Sequence, residues 1–310
     1  MIAPWLTAVE TEFRERLAGG RLAHALLLSG PAGCGKRDLA SGFIASLLCL
    51  ETTYPACGSC RSCSLLESGA HPDHQLLTFE DHPKSGEPRK DIVIEQVRRL
   101  IAASQLTRGL SPRKTALLEP AEAMTHGAAN ALLKTLEEPP GEAVLVLVSH
   151  HPERLPATIR SRCQNLHVRP PDRTQALAWL TGTTDGDVES AALALDAAAG
   201  SPLRARRLLE DGSTDQYRLV SESLERLLAA TEPPADAAAA FAGLDPESLW
   251  TWLSLRAASE VRRRGASGRD MRPASELQQL ADRYRRFVPT PVRKDLLLQD
   301  WLIQWSRLKA

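Results

Sequence analysis

The stretch Ser29-Gly-Pro-Ala-Gly-Cys-Gly-Lys-Arg37 constrains this chain more than any other. Ahead of it, residues 23–28 form an apolar run of the kind that makes a buried strand. Behind it, Leu39, Phe43, Ile44, Leu47 and Leu48 recur at helical spacing. Strand, glycine loop and helix in that order are the context of a phosphate-binding loop. Gly30, Gly33 and Gly35 free the backbone to wrap an anion in front of a helix N-terminus, and Lys36 stands where a loop lysine meets the outer phosphates. Position 37, where a Ser or Thr hydroxyl would ligate magnesium, is Arg. A guanidinium has only donors and cannot ligate a metal, so ATP and magnesium binding by this loop is in doubt. A glycine-rich turn without a ligand is the alternative.

Further apolar runs over 75–79, 114–118, 143–148 and 164–168 alternate with helical patterns over 94–106 and 124–136. That alternation predicts an α/β domain built on a parallel sheet with flanking helices. Val97, Leu100, Ile101 and Leu106 mark the core stripe of the first helix, and Ala129, Leu132, Leu133 and Leu136 that of the second. The strand over 114–118 ends at Glu119-Pro120. In nucleotide hydrolases such a strand end supplies one carboxylate for the metal and another that polarises the attacking water. Glu119 suits the first role, and Pro120 leaves the second vacant. Ser149-His150 falls at another strand end, where His150 reads as a ligand sensor or as a capped loop residue.

Four of the six cysteines are bunched as Cys49, Cys57, Cys60 and Cys63. Four thiolates suit a closed tetrahedral zinc site, structural because no coordination position stays open; free thiols in a surface insertion are the alternative. His71-Pro-Asp73-His74 reads as a turn, and residues 81–90 as an exposed loop. Arg160-Ser161-Arg162-Cys163 offers two arginines at a helix end. On the residues alone they are a surface ion pair or an arginine finger acting across a subunit boundary.

After Pro170-Pro171 the strand signals stop. Helices are predicted over 173–180, 188–199 and 202–211, with breaks at Gly182, Gly186 and Gly200, and then over 216–230, 235–241, 246–264, 273–287 and 292–308. The last carries Leu297, Trp301, Trp305 and Leu308 on one stripe, and Trp250 and Leu253 sit alike two helices earlier, as core or as an oligomer contact. A length of 310 residues suits two or three domains, here 1–168, 169–212 and 213–310. Net charge is zero, so no overall field draws the chain to nucleic acid. From Trp250 onward, however, 13 Lys/Arg face 6 Asp/Glu, which suits either phosphates or an acidic neighbour. No apolar run approaches about 20 residues, and the N-terminus lacks a basic start and apolar core, so a cytoplasmic protein with no membrane partner is expected.

The block Ala128-Ala-Asn-Ala-Leu-Leu-Lys-Thr-Leu-Glu-Glu-Pro-Pro140, followed by Arg160-Ser-Arg-Cys163, resembles the clamp-loader branch of the AAA+ ATPases. The four-cysteine insertion is similar to that of bacterial clamp-loader subunits. Arg37 and Glu119-Pro-Ala-Glu122 narrow the resemblance to the delta-prime family of the DNA polymerase III holoenzyme. It covers residues 3–210, and beyond them rests on helical layout. The resemblance implies an AAA+ α/β domain carrying a zinc module (49–63), a small helical lid domain and an all-α collar joining five subunits. It implies a stator without ATPase activity of its own, between delta and a gamma/tau subunit. In that setting Arg162 is a trans arginine finger on the neighbour's gamma-phosphate, and Cys49, Cys57, Cys60 and Cys63 hold Zn2+. The assembled heteropentamer then loads a sliding clamp onto primer-template DNA. After Gly200-Ser201 the family's sensing arginine would fall at Leu203, with Arg204 one place off. Two other readings stand beside it: an active ATPase subunit of the same fold using Lys36 and Glu119, and a zinc-containing nucleic-acid binder using the basic C-terminal helices.

Overall fold

The computed structural model describes residues 3–51, 54–82, 86–87, 89–184 and 187–308. Gly186 and parts of the 51–56 and 81–90 loops lie outside the described residues. The chain divides into two compact units, Met1–Asp172 and Arg173–Ala310, with the break just after Pro170-Pro171.

The first unit runs α1 (Thr7–Ala18), β1 (Ala25–Ser29), α2 (Lys36–Leu48), α3 (Arg61–Glu67), β2 (His74–Leu77), α4 (Ile94–Gln105), β3 (Lys114–Leu118), α5 (His126–Glu137), β4 (Ala143–Ser149), α6 (Ala157–Arg160) and β5 (Gln164–His167). The strands form one parallel sheet in the order β2-β3-β4-β1-β5. Every residue of β1 and β4 is buried, as continuous apolar strands require when helices cover both faces. Leu27, Leu118 and Leu147 point to the face where Val97 and Leu100 of α4 meet Leu132 and Leu136 of α5. On α2, Phe43 stacks on Phe13 of α1 with ring centroids 3.7 Å apart. One predicted stripe residue departs: Leu106 is 68% exposed, because α4 stops at Gln105 and the chain turns extended there. Strand β2 starts one residue early and stops at Leu77, where pairing with Leu118 ends.

The second unit is all helix: α7 (Arg173–Thr183), α8 (Val188–Ala197), α9 (Pro202–Glu210), α10 (Ser213–Leu228), α11 (Pro234–Phe241), α12 (Pro246–Ala266), α13 (Arg272–Arg285) and α14 (Lys294–Ser306). Gly182 does not break α7 as predicted. A glycine inside a helix costs only about 1 kcal/mol, and the Thr183 hydroxyl bonds back to the Trp179 carbonyl at 2.9 Å. Gly200 does end α8, its amide donating to the Leu195 carbonyl at 2.8 Å behind a left-handed Ala199. On α14 the core takes Leu298 and Leu302 with Trp301 and Trp305, while Leu297 is only half-buried. The Trp301 and Trp305 indoles donate to the Leu277 and Leu224 carbonyls, both at 2.9 Å, so these tryptophans are core.

Candidate functional site

The C-terminal ends of β1, β3 and β4 lie side by side, so the loops that follow them share one rim of the sheet. Gly30 turns the chain out of β1. A Cβ there would lie 2.2 Å from the Val168 carbonyl oxygen at a φ of +144°, so packing alone demands glycine. Gly33 and Gly35 are also left-handed, and Gly35 is the N-cap of α2. The Trp5 indole donates to the Cys34 carbonyl at 2.9 Å, tying the loop to the N-terminal segment.

Lys36 is 2% exposed, and its Nζ donates to the Gly30 and Pro31 carbonyls at 2.7 and 2.6 Å. Burial pushes its pKa down, against the opposing pull of Cys34, Glu122 and Glu119. The next side chain reaches across the rim: Arg37 Nη1 lies 3.3 Å from Glu119 Oε2. Glu119 is buried, which raises its pKa, and Arg37 and then Lys36 pull it back. The contact is an ion pair without hydrogen-bond geometry, since Glu119 Oε2 makes no hydrogen bond among the described residues. His150 Nε2 stands 3.8 Å from Glu119 Oε1, and the His150 amide donates to Glu122 Oε1 at 3.0 Å. Burial and Lys36 lower the pKa of His150, so its neutral ring forms no charge pair with Glu119 at pH 7. The carboxylate placed to hold a metal's water thus faces a guanidinium. Position 37 offers no oxygen ligand to a magnesium ion.

Arg162 stands elsewhere. It precedes β5, whose Gln164 pairs with Leu26 and whose His167 pairs with Ser29, so it lies at the edge where strands begin, opposite Lys36. Its Nε donates to Glu137 Oε1 at 2.7 Å, Nη2 meets the same oxygen, and Nη1 donates to the Thr158 carbonyl at 3.0 Å. Cys163 packs against the core, and burial pushes its thiol up to about 12, so it anchors the motif and is no nucleophile. Arg204 is exposed on α9.

The four cysteines converge. Cys49 follows α2, Cys57 and Cys60 flank a turn at Gly58 (φ +74°), and Cys63 lies on α3. Their sulfurs all lie within 4.8 Å of one another, with Cys49–Cys60 at 4.0 Å and Cys57–Cys63 at 3.9 Å. Metal–sulfur bonds of about 2.3 Å put tetrahedral corners about 3.8 Å apart, so the cluster fits a metal ion. The Cys57 and Cys60 amides donate to the sulfurs of Cys49 and Cys57 at 3.4 and 3.3 Å, orienting the ligands.

Beside the cysteines lies a buried polar node that the sequence pattern did not reveal. The hydroxyls of Ser62 and Ser111 both donate to the Leu48 carbonyl, at 2.7 and 2.8 Å, and both meet His71 Nε2, at 2.8 and 3.1 Å. His71 Nδ1 accepts from the Asp73 amide, so the ring is neutral with its proton on Nε2. Asp73 in turn accepts from the amides of Gly109, Leu110 and Ser111. The predicted turn at 71–74 is therefore a clip that fastens the cysteine module to the sheet. The His71 tautomer and its burial exclude a serine nucleophile here.

A family model described as DNA polymerase III, delta subunit, matches residues 5–172. DNA polymerase III subunit delta' of Pseudomonas aeruginosa is 39% identical over 313 residues, 98% of this chain and 90% of that one. Subunit delta' of Escherichia coli is 34% identical over 245 residues, 79% and 70% of the two chains. Subunit tau/gamma of Haemophilus influenzae is 33% identical over 166 residues, 53% of this chain and 23% of that one. The solved gamma subunit-related protein of Thermotoga maritima superposes with a TM-score of 0.55 at 19% identity, covering 96% and 98% of the two chains, a likeness of fold. A parallel sheet with helices on both faces, a cysteine cluster fit for a metal, the matching family model and a near full-length relative agree: the chain belongs to the delta' family of DNA polymerase III subunits.

Proposed function

We propose that this chain is a non-hydrolysing stator subunit of a cytoplasmic clamp loader and supplies Arg162 in trans to the ATP site of a neighbouring subunit. In this reading the α/β domain (1–168) carries a structural Zn2+ on Cys49, Cys57, Cys60 and Cys63. Residues 169–212 form the lid, and 213–310 the collar that joins delta and gamma/tau subunits in a heteropentamer. That particle places a sliding clamp on primer-template DNA.

The observation that carries the reading is the Arg37–Glu119 contact. Phosphoryl transfer to water needs a metal clamp, an oriented water and stabilisation of charge on the equatorial oxygens. Here a guanidinium faces the carboxylate that would hold the metal's water, and Pro120 brings no second carboxylate. The loop lysine is spent on its own loop carbonyls. Arg162 supports the other half of the reading. It is too far round the sheet to serve Lys36, and its planar fork suits a phosphate on another molecule.

The test is magnesium-dependent ATP turnover by the isolated chain. Turnover at the level of the blank is expected. A rate matching a working clamp-loader ATPase subunit would instead favour the active-ATPase reading of Lys36 and Glu119.

A further inference from the structure

Arg162 does not stand free on the surface. Its Nε and Nη2 share one oxygen of Glu137, Nη1 donates to the Thr158 carbonyl at 3.0 Å, and Ser161 Oγ lies 3.5 Å from Nη1. A guanidinium has five N–H donors, so these contacts leave at least one proton on Nη2 for an incoming anion. The holders are themselves fixed. Glu137 is the last residue of α5, where His24 Nε2 donates to the Leu136 carbonyl at 2.7 Å and the Glu138 amide to the Lys134 carbonyl at 2.9 Å. Thr158 belongs to α6, which packs on α5 and buries Ile159 in the core under the sheet.

An exposed arginine–carboxylate pair ordinarily contributes little. This one differs in its geometry, because two packed helices grip the same guanidinium from two sides. We propose that Glu137 is the positioning residue for Arg162, holding the guanidinium in one orientation so that it meets a neighbour's terminal phosphate already aligned; the proposal rests on the trans-finger reading of Arg162. Both nitrogens use the single oxygen Oε1, so an amide oxygen at this position can do the same work, whereas a methyl cannot.

The experiment is steady-state ATP hydrolysis by the clamp-loader complex reconstituted with wild-type chain, Arg162→Ala, Glu137→Ala, Glu137→Gln or Glu137→Asp, with assembly checked by gel filtration. Arg162→Ala should lose at least about tenfold in kcat. Glu137→Ala should lose about three- to tenfold in kcat with KM for ATP within about twofold, the mark of lost alignment in the transition state. Glu137→Gln should recover to within about twofold of wild type. Wild-type rates from Arg162→Ala would overturn the finger reading itself. A normal Arg162→Ala loss with Glu137→Ala at or above the wild-type rate, or with Glu137→Gln as slow as Glu137→Ala, would overturn the positioning role alone. Where Glu137→Ala fails to assemble, Glu137→Asp decides: a lowered kcat supports the role, and an unchanged one overturns it.

Discussion

Stripping the metal from the four-cysteine cluster should loosen one loop without unfolding the sheet. The four cysteines span residues 49–63, a 15-residue loop that a metal bound to all four would close. Cross-linking a loop of that length removes about 3 kcal/mol of chain entropy from the unfolded state. The metal-free chain loses at most that amount, because the Ser62–Leu48 hydrogen bond closes nearly the same loop from the sheet side. In a unit of this size each kcal/mol moves the melting temperature by about 2–4 °C, which caps the drop at about 6–12 °C. The assay is scanning fluorimetry under reducing conditions on metal-replete, chelated and zinc-restored protein, with released zinc counted by a colorimetric indicator. One zinc per chain, a measurable drop no larger than that and recovery on re-addition are expected, with a wider gap in Ser62→Ala. A chelated protein free of zinc that melts within about 1 °C of the replete one would refute the loop-closure reasoning.

Arg37→Thr restores a hydroxyl at the metal position and releases Glu119; magnesium-dependent ATP binding by the isolated chain should tighten by about tenfold or more, while turnover stays at background because Pro120 is unchanged. Isothermal titration reads the first part, and unchanged binding would count against the Arg37–Glu119 account. Gly30→Ala drives a Cβ to 2.2 Å from the Val168 carbonyl and should cost about 2–3 kcal/mol, seen in urea unfolding even without nucleotide. Burial holds the pKa of His74 down at about 4, below the usual value of about 6.5. Its neutral form is therefore favoured on folding, and that contribution is complete above about pH 6.5 and lost as pH falls towards about 4. Stability profiles of wild type and His74→Gln should diverge across that window, and parallel profiles would contradict the sign.

Local chemistry made the main architecture legible. The all-apolar β4 and the Ser29–Arg37 loop announced a parallel sheet with an anion loop, and the Cys57-x-x-Cys60-x-x-Cys63 spacing announced converging sulfurs. What stayed hidden depends on residues far apart in sequence. Nothing near Arg37 signals that Glu119 faces it, and nothing near Ser62 signals that Ser111 and His71 share its carbonyl acceptor. Nothing near Glu137 signals its contact, because its partner Arg162 arrives only when α6 folds back onto α5. Leu106 shows the converse error. Helical periodicity assigned it to a buried stripe, but the helix stops one residue short of it. Gly182 looks like a break in the sequence because propensity ignores how small its cost is when the neighbouring turns hold.

The most direct test of the central claim is a structure of the assembled clamp loader with a non-hydrolysable ATP analogue and magnesium. An Arg162 Nη is expected at about 2.7–2.9 Å from a terminal phosphate oxygen of the nucleotide on the neighbouring subunit. Arg162 turned away from every nucleotide, with magnesium ATP bound over Lys36 and Glu119 of its own chain, would contradict it.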